Sequence, residues 1–159
     1  MKRTALYAGS FDPITNGHLN IIERTSSMFD EVVVGIINNE SKKPLLTSEE
    51  RKDIVTQVVS HLPNVRVDVF QGLLADYVNA NKFNAVIRGL RATTDFEYEI
   101  QMAQMNARLY TEGTETVFLM TDPRYSFISS SLIKEVVSLG GDAEGLLPEY
   151  VLNVIKNRF

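Results

Sequence analysis

Apolar residues in this chain of 159 residues gather in short, nearly unbroken runs: Thr4 to Ala8, Val32 to Ile37, Val65 to Phe70, Ala85 to Ile87 and Thr116 to Met120. A strand with one wet face alternates apolar and polar positions. A run without alternation fits a strand buried on both faces, as in a parallel sheet covered by helices. Helical periodicity fills the gaps. Leu19, Ile22, Thr25 and Phe29 share a face after the first run, and Ile54, Val55, Val58 and Val59 follow the capping box Thr47 to Glu50 after the second. Further helices are predicted over Leu73 to Asn81 and Ser129 to Leu139, and Pro148, beyond Gly140-Gly141, opens a last one through Val151, Leu152 and Ile155. This rhythm predicts a Rossmann-like α/β fold, an open parallel five-stranded sheet with helices on both faces, in one domain over residues 1–159.

The stretch Asp95 to Leu109 differs from the other helical segments. It carries two apolar stripes, Phe96-Ile100-Ala103-Ala107 and Tyr98-Met102-Met105-Leu109, on roughly opposite sides of one helix. One stripe is expected to face the sheet. The other needs a second cover, for which a partner subunit is favoured over a loop of the same chain.

In open parallel sheets the ligand crevice lies at the carboxyl ends of the strands, where the strand order reverses. The polar residues after each run are therefore candidates for one rim. After the first run comes Gly9-Ser10-Phe11-Asp12-Pro13-Ile14-Thr15-Asn16-Gly17-His18, a tight turn feeding a helix. Free backbone N–H groups and the positive end of the helix dipole meet there, which suits phosphate, and His18 can hydrogen-bond a phosphoryl oxygen. The alternative is a helix-start histidine satisfied by a nearby carbonyl. His61, in Ser60-His61-Leu62-Pro63, reads as solvated.

Arg88 and Arg91 flank Gly89-Leu90 just beyond the fourth run, where two guanidinium forks suit a polyphosphate or a phosphate monoester. Ion pairs with Asp95, Glu97 or Glu99 are the competing use. Lys42 and Lys43 lie in a loop after the second run, where lysines are usually solvated. Tyr125 to Lys134 offers a hydroxyl-rich helix start at Ser129-Ser130-Ser131, more serines than one N-cap requires, with Lys134 on the same face. Two phosphate-ready helix starts suggest a triphosphate. No GxxxxGK[ST] loop and no GxGxxG turn occurs, and no nucleophile pairs with His18. Positioning and charge stabilisation then have to carry any chemistry, as in direct transfer at phosphorus.

Composition narrows the classes. Hydrophobic residues make up 44% and charged residues 23%, as in an ordinary globular chain. A net charge of −4 disfavours a general affinity for nucleic acid, so an anionic substrate must meet a local basic cluster. Zero cysteines exclude disulfides and thiolate metal sites. No apolar run is long enough for a signal peptide or a membrane span, which makes the cytoplasm the default expectation.

Thr15-Asn16-Gly17-His18 matches the TxGH form of the nucleotidylyltransferase signature, and Ile128-Ser129-Ser130-Ser131 matches the second signature of that superfamily. Within it the chain resembles the bacterial phosphopantetheine adenylyltransferases. GSFDPITNGH, SKKP, IRGLR, DFEYE, MN and YSFISSSLIKE stand in family order from end to end. The resemblance implies transfer of the adenylyl group of ATP to 4′-phosphopantetheine, giving dephospho-coenzyme A and pyrophosphate, with magnesium accompanying ATP. It implies that His18 stabilises the transition state. Ser10, Lys42, Leu74 and Arg88 would bind phosphopantetheine. Ser10, Phe11, His18, Gly89, Leu90, Arg91, Glu99, Tyr125, Ser126, Phe127, Ile128, Ser129, Ser130 and Ser131 would contact ATP. It implies a homohexamer and feedback inhibition by coenzyme A, and it names no metal-ligating residue, which leaves open whether magnesium has a protein ligand. Four positions depart from common family residues: Ser10 for threonine, Leu74 for methionine, Tyr125 for tryptophan, and Lys134 where the wider superfamily has arginine. None removes a required function, and the last bears only on whether a phosphate contact there is bidentate. The rivals are another nucleotidylyltransferase, acting on nicotinamide mononucleotide or a phosphorylated alcohol, and a nucleotide-sensing module without activity. The first leaves SKKP and DFEYE unexplained; the second leaves His18 and the arginines without a task.

Overall fold

The computed structural model describes residues 1–39, 41–91, 93–111 and 113–159, with 93 and 94 described by their backbone alone. The elements alternate as the apolar rhythm predicts. In order they are β1 (Thr4–Gly9), α1 (Asn16–Ser26), β2 (Glu31–Ile37), α2 (Ser48–Val58), β3 (Val65–Phe70), α3 (Leu74–Asn81), β4 (Ala85–Leu90), α4 (Thr93–Leu109), β5 (Glu115–Met120), a 3-10 turn at Pro123–Tyr125, α5 (Ser130–Ser138) and α6 (Glu149–Lys156). The sheet order is β3-β2-β1-β4-β5, with every pair parallel. From β1 the chain winds outward to β3, then returns to place β4 on the other side of β1. The order therefore reverses between β1 and β4, and a crevice opens at their carboxyl ends.

Alternate side chains leave the sheet on opposite faces. Tyr7, Val34 and Ile87 join the larger core with Ile22 of α1, Val55 of α2, Ile133 of α5 and Val151 of α6. Leu6, Val33 and Val86 join a smaller core with Val78 of α3, Phe70 and Phe83. Burying one such aliphatic side chain contributes about 1.5–3 kcal/mol, so the central strands are committed on both faces. Gly35 fits this crowding, because a Cβ there would lie 2.8 Å from Leu6 and 3.0 Å from Phe70. The capping box at α2 forms as expected, with Thr47 and Glu50 each accepting the other's backbone N–H at 3.1 Å.

Two expectations change. β4 continues through Leu90, so Arg88 lies inside the strand rather than beyond it. One stripe of α4 meets the sheet only in part: the centroid of the Phe96 ring lies 6.4 Å from that of Phe118 of β5, and Ile100 and Ala103 are half-buried. Tyr98, Met102, Met105 and Leu109 of the other stripe are exposed, while Glu99 and Asn106 are buried between the two. The polar seam between the stripes thus faces inward as well, because Glu99 turns toward Arg88. β5 is also covered only in part, with half-buried side chains along most of its length. Among the described residues no helix is long and apolar enough to cross a membrane.

Candidate active site

The turn from β1 into α1 is built around His18. Thr15 is the N-cap of α1; its side-chain oxygen accepts the His18 backbone N–H at 3.3 Å, and His18 Nδ1 accepts the Thr15 N–H at 3.0 Å. This is a capping box in which an imidazole takes the place usually held by Glu or Gln. An Nδ1 that accepts a backbone N–H has no proton, so the neutral ring carries its proton on Nε2. Phe11 holds the ring from one side, with centroids 5.0 Å apart, and itself meets Tyr7 at 5.6 Å. Phe11 has φ 49°, a left-handed conformation that costs a residue of this size on the order of 1–3 kcal/mol and persists where packing imposes it. Gly9 makes room for that ring, since a Cβ there would press on it at 3.3 Å.

Desolvation is the main reason that the His18 pKa is lowered from 6.5 to about 4, and the positive charges of Arg91 and Arg88 push it the same way. The imidazole is therefore a neutral donor at neutral pH. Burial also pushes the Tyr7 hydroxyl up to about 12, against the lowering influence of Arg88, so it stays protonated.

Both arginines take up the ion pairs that the sequence offered as their competing use. Arg88 Nε and Nη2 donate to the two oxygens of Glu99 at 2.8 and 2.7 Å, and Nη1 donates to the Ala8 carbonyl at 3.2 Å. Glu99 thereby fixes the guanidinium plane at the end of β1. Arg91 donates to Asp95 at 3.0 Å and to the Ile128 carbonyl at 3.0 Å, tying the entry of α4 to the segment before α5. Neither pair disqualifies its arginine for an anion, because a guanidinium has five N–H donors.

At α5, Ser129 is the N-cap and accepts the Leu132 N–H at 3.1 Å. Ser130 donates its hydroxyl to the Pro13 carbonyl at 2.8 Å, joining the two helix starts. The backbone N–H groups of Ser130 and Ser131 have no partner among the described residues. At α1 only the Gly17 N–H is left so, since Asn16 donates to Leu146 and Leu19 to Thr15. The anion-ready N–H groups expected at both helix starts are thus found mainly at α5.

These groups border a cavity of about 290 Å³ at the β1/β4 reversal. It gathers Phe11, His18, Arg88, Gly89, Arg91, Glu99, Tyr125, Ile128, Ser129 and Ser130 of the expected site residues. A neighbouring depression of about 190 Å³ holds Ser10, Lys42 and Ser131, and Ser130 borders both. Leu74, Leu90, Ser126 and Phe127 line neither; Leu74 packs on the smaller core, and Phe127 is exposed. Lys134 lines the same depression as Ser130 and Ser131, and it is also paired. Its Nζ lies 2.9 Å from Asp12 Oδ2, a contact spanning 122 positions that helical spacing could not reveal. Thr15 was missed as a site residue although the TxGH pattern names it, and Asp95, offered only as an ion-pair partner, lines the cavity as well. His61 is exposed, with Nε2 3.8 Å from Glu23.

Among the described residues no group of three or more His, Asp or Glu side chains could hold a metal. The carboxylates nearest the site, Asp12, Asp95 and Glu99, each face a cation of the protein.

A family model for cytidylyltransferase-like proteins matches residues 6–136. The phosphopantetheine adenylyltransferase of Alkaliphilus oremlandii is 54% identical over 157 residues, covering 99% of both chains. The chain belongs to the phosphopantetheine adenylyltransferase family. The member from Streptomyces coelicolor is 51% identical over 98% of this chain and 97% of its own, and that from Dictyoglomus thermophilum 49% over 98% and 94%. Among solved structures, nicotinic acid mononucleotide adenylyltransferase of Plasmodium falciparum, complexed with NaAD, superimposes with a TM-score of 0.71 at 14% identity. The match covers 99% of this chain and 96% of that one. At that identity the likeness speaks for the fold alone.

Proposed function

We propose that this chain transfers the adenylyl group of ATP to 4′-phosphopantetheine, giving dephospho-coenzyme A and pyrophosphate. The observation that carries the reading is the neutral His18, proton on Nε2, sharing one cavity with Arg88, Arg91 and the open start of α5. A phosphate oxygen of the acceptor attacks the α-phosphorus in line. The bond to the bridging oxygen breaks, and pyrophosphate leaves with the electron pair. His18 donates to the α-phosphate as charge gathers there, and Arg88 and Lys42 draw the acceptor phosphate in. Arg91 and the N–H groups of Ser130 and Ser131 bear on the β- and γ-phosphates. The preorganised donors lower the barrier because they need not reorient during the reaction. Phe11, Gly89, Tyr125 and Ile128, which line the cavity, would enclose the nucleoside, with Ser10 on the acceptor side; Leu74, Leu90, Ser126 and Phe127 line neither hollow, and their contacts rest on the family likeness alone.

Magnesium fits as a companion of the triphosphate rather than as a resident ion, because the nearby carboxylates already face Lys134, Arg91 and Arg88. It would neutralise phosphate charge when bound. The exposed stripes of α4 and the half-covered β5 support a homo-oligomer, a hexamer by family likeness, and light scattering that returns a monomer mass would refute it. Feedback inhibition by coenzyme A and a cytoplasmic setting belong to the same reading. The deciding assay incubates the protein with ATP, magnesium and each acceptor. Pyrophosphate release with phosphopantetheine is expected; release only with nicotinamide mononucleotide, or with no acceptor at all, overturns the reading.

A further inference from the structure

The depression beside the main cavity contains an anionic group where anions are meant to bind. Asp12 is 6% exposed, in the turn that carries Ser10 and within the depression that holds Lys42. A bare carboxylate there would repel both phosphate substrates. The fold surrounds it with donors instead. Asp12 Oδ2 accepts the Leu45 N–H and Oδ1 the Leu46 N–H, each at 2.9 Å, and Lys134 Nζ sits 2.9 Å from Oδ2.

The same contacts fasten the lysine-bearing loop. Arg51, 2% exposed, donates to the carbonyls of Leu46, Ser10 and Ile37 at 3.2, 2.8 and 3.1 Å. The loop carrying Lys42 and Lys43 is therefore held where it leaves β2, by Arg51, and where it enters α2, by Asp12 and Arg51 together. Asp12 also reaches α5 through Lys134, next to the open N–H groups of that helix.

We propose that Lys134 is a positioning residue: it neutralises Asp12 so that the carboxylate can clamp the Lys42 loop without repelling the phosphates, and it is not itself a phosphate ligand. The proposal rests on the reaction given above. A lysine suffices because the partner is a single carboxylate oxygen, for which a compact ammonium is as suitable as a guanidinium fork.

The test is a cycle of Lys134→Met, Asp12→Asn and the double variant, with steady-state kinetics and melting temperature for each. Lys134→Met leaves a charged carboxylate at the anion site and should raise KM for both ATP and phosphopantetheine by on the order of tenfold, with kcat changed less. Asp12→Asn alone keeps one acceptor of the clamp and should raise KM less than Lys134→Met does. In the double variant KM should return to the Asp12→Asn value even where the melting temperature stays depressed, because the repelling charge has gone with the carboxylate. If Lys134 binds phosphate directly, KM in the double variant stays above the Asp12→Asn value, and the proposal falls. It falls also if Lys134→Met lowers only the melting temperature. Should Lys134→Met not fold, Lys134→Gln serves in the same cycle. Calorimetric titration of the four proteins with inorganic pyrophosphate follows the same cycle without the acceptor. An acceptor other than phosphopantetheine would be exposed by the wild-type assay alone and would leave this comparison intact.

Discussion

The two helix starts at the site use the same N-terminal physics to opposite ends. α1 closes on itself: three of its first four N–H groups are satisfied by Leu146, by the Thr15 side chain and by the Thr15 carbonyl, and the reciprocal partner in the box is His18. What α1 offers a ligand is a side chain in a fixed tautomer. α5 is capped once, by Ser129, and keeps the Ser130 and Ser131 N–H groups open. What α5 offers is backbone. Fixing a proton donor requires a partner for the other ring nitrogen, whereas cradling a phosphate requires donors with no partner.

The sharpest way to break this contrast is His18→Ala. Removing one preorganised donor of this kind typically costs on the order of 10² to 10³ in kcat, with ATP affinity largely kept, and stopped-flow turnover alongside nucleotide titration measures both. Near-normal turnover would remove His18 from the chemistry. Acidification probes the same residue without mutation. The folded-state pKa lies near 4 against 6.5 for the free side chain, so the unfolded chain binds the proton more readily. The stability contributed by the neutral ring is intact above pH 6.5 and is lost as pH falls through about 4. An ¹⁵N NMR titration of the unliganded protein should find the His18 ring unchanged from pH 8 to 5.5 and protonating near 4; a midpoint near 6.5 would contradict the geometry.

Thr15→Ala should have a smaller effect. Loss of the N-cap costs about 1 kcal/mol of stability, visible as a lower melting temperature, and kcat should fall by less than in His18→Ala because the ring is still present. Thr15→Ser should recover both. Ser129→Ala should cost a similar stability but leave kcat nearly unchanged, since the open N–H groups belong to the next two residues. A kcat loss there as large as in Thr15→Ala would show that the two starts are not divided as argued.

A second contrast, between β2 and β5, marks where the sequence could be read and where it could not. Both are apolar parallel strands and both were legible as such. β2 is buried through its whole middle because strands flank it on both sides and helices cover both faces, whereas β5 ends the sheet with only partial cover. A run of apolar residues records that a surface is destined for burial but not against what. For the same reason the stripes of α4 told only part of its orientation. The Phe96 stripe reaches β5 and is half-covered, and the buried residues beside it are Asn106 and Glu99, the latter paired with Arg88.

The sequence by itself determined the strands, the helices, the cap at Thr47, and the family-bearing motifs around His18 and Ser129, because each is a local pattern of spacing and residue type. Tertiary structure alone decided that Arg88 is aligned by Glu99, that Lys134 answers Asp12, and that Arg51 binds three separate carbonyls. Such contacts depend on where distant segments meet once the core has formed, and a charge carries no mark in the sequence of the partner that will neutralise it.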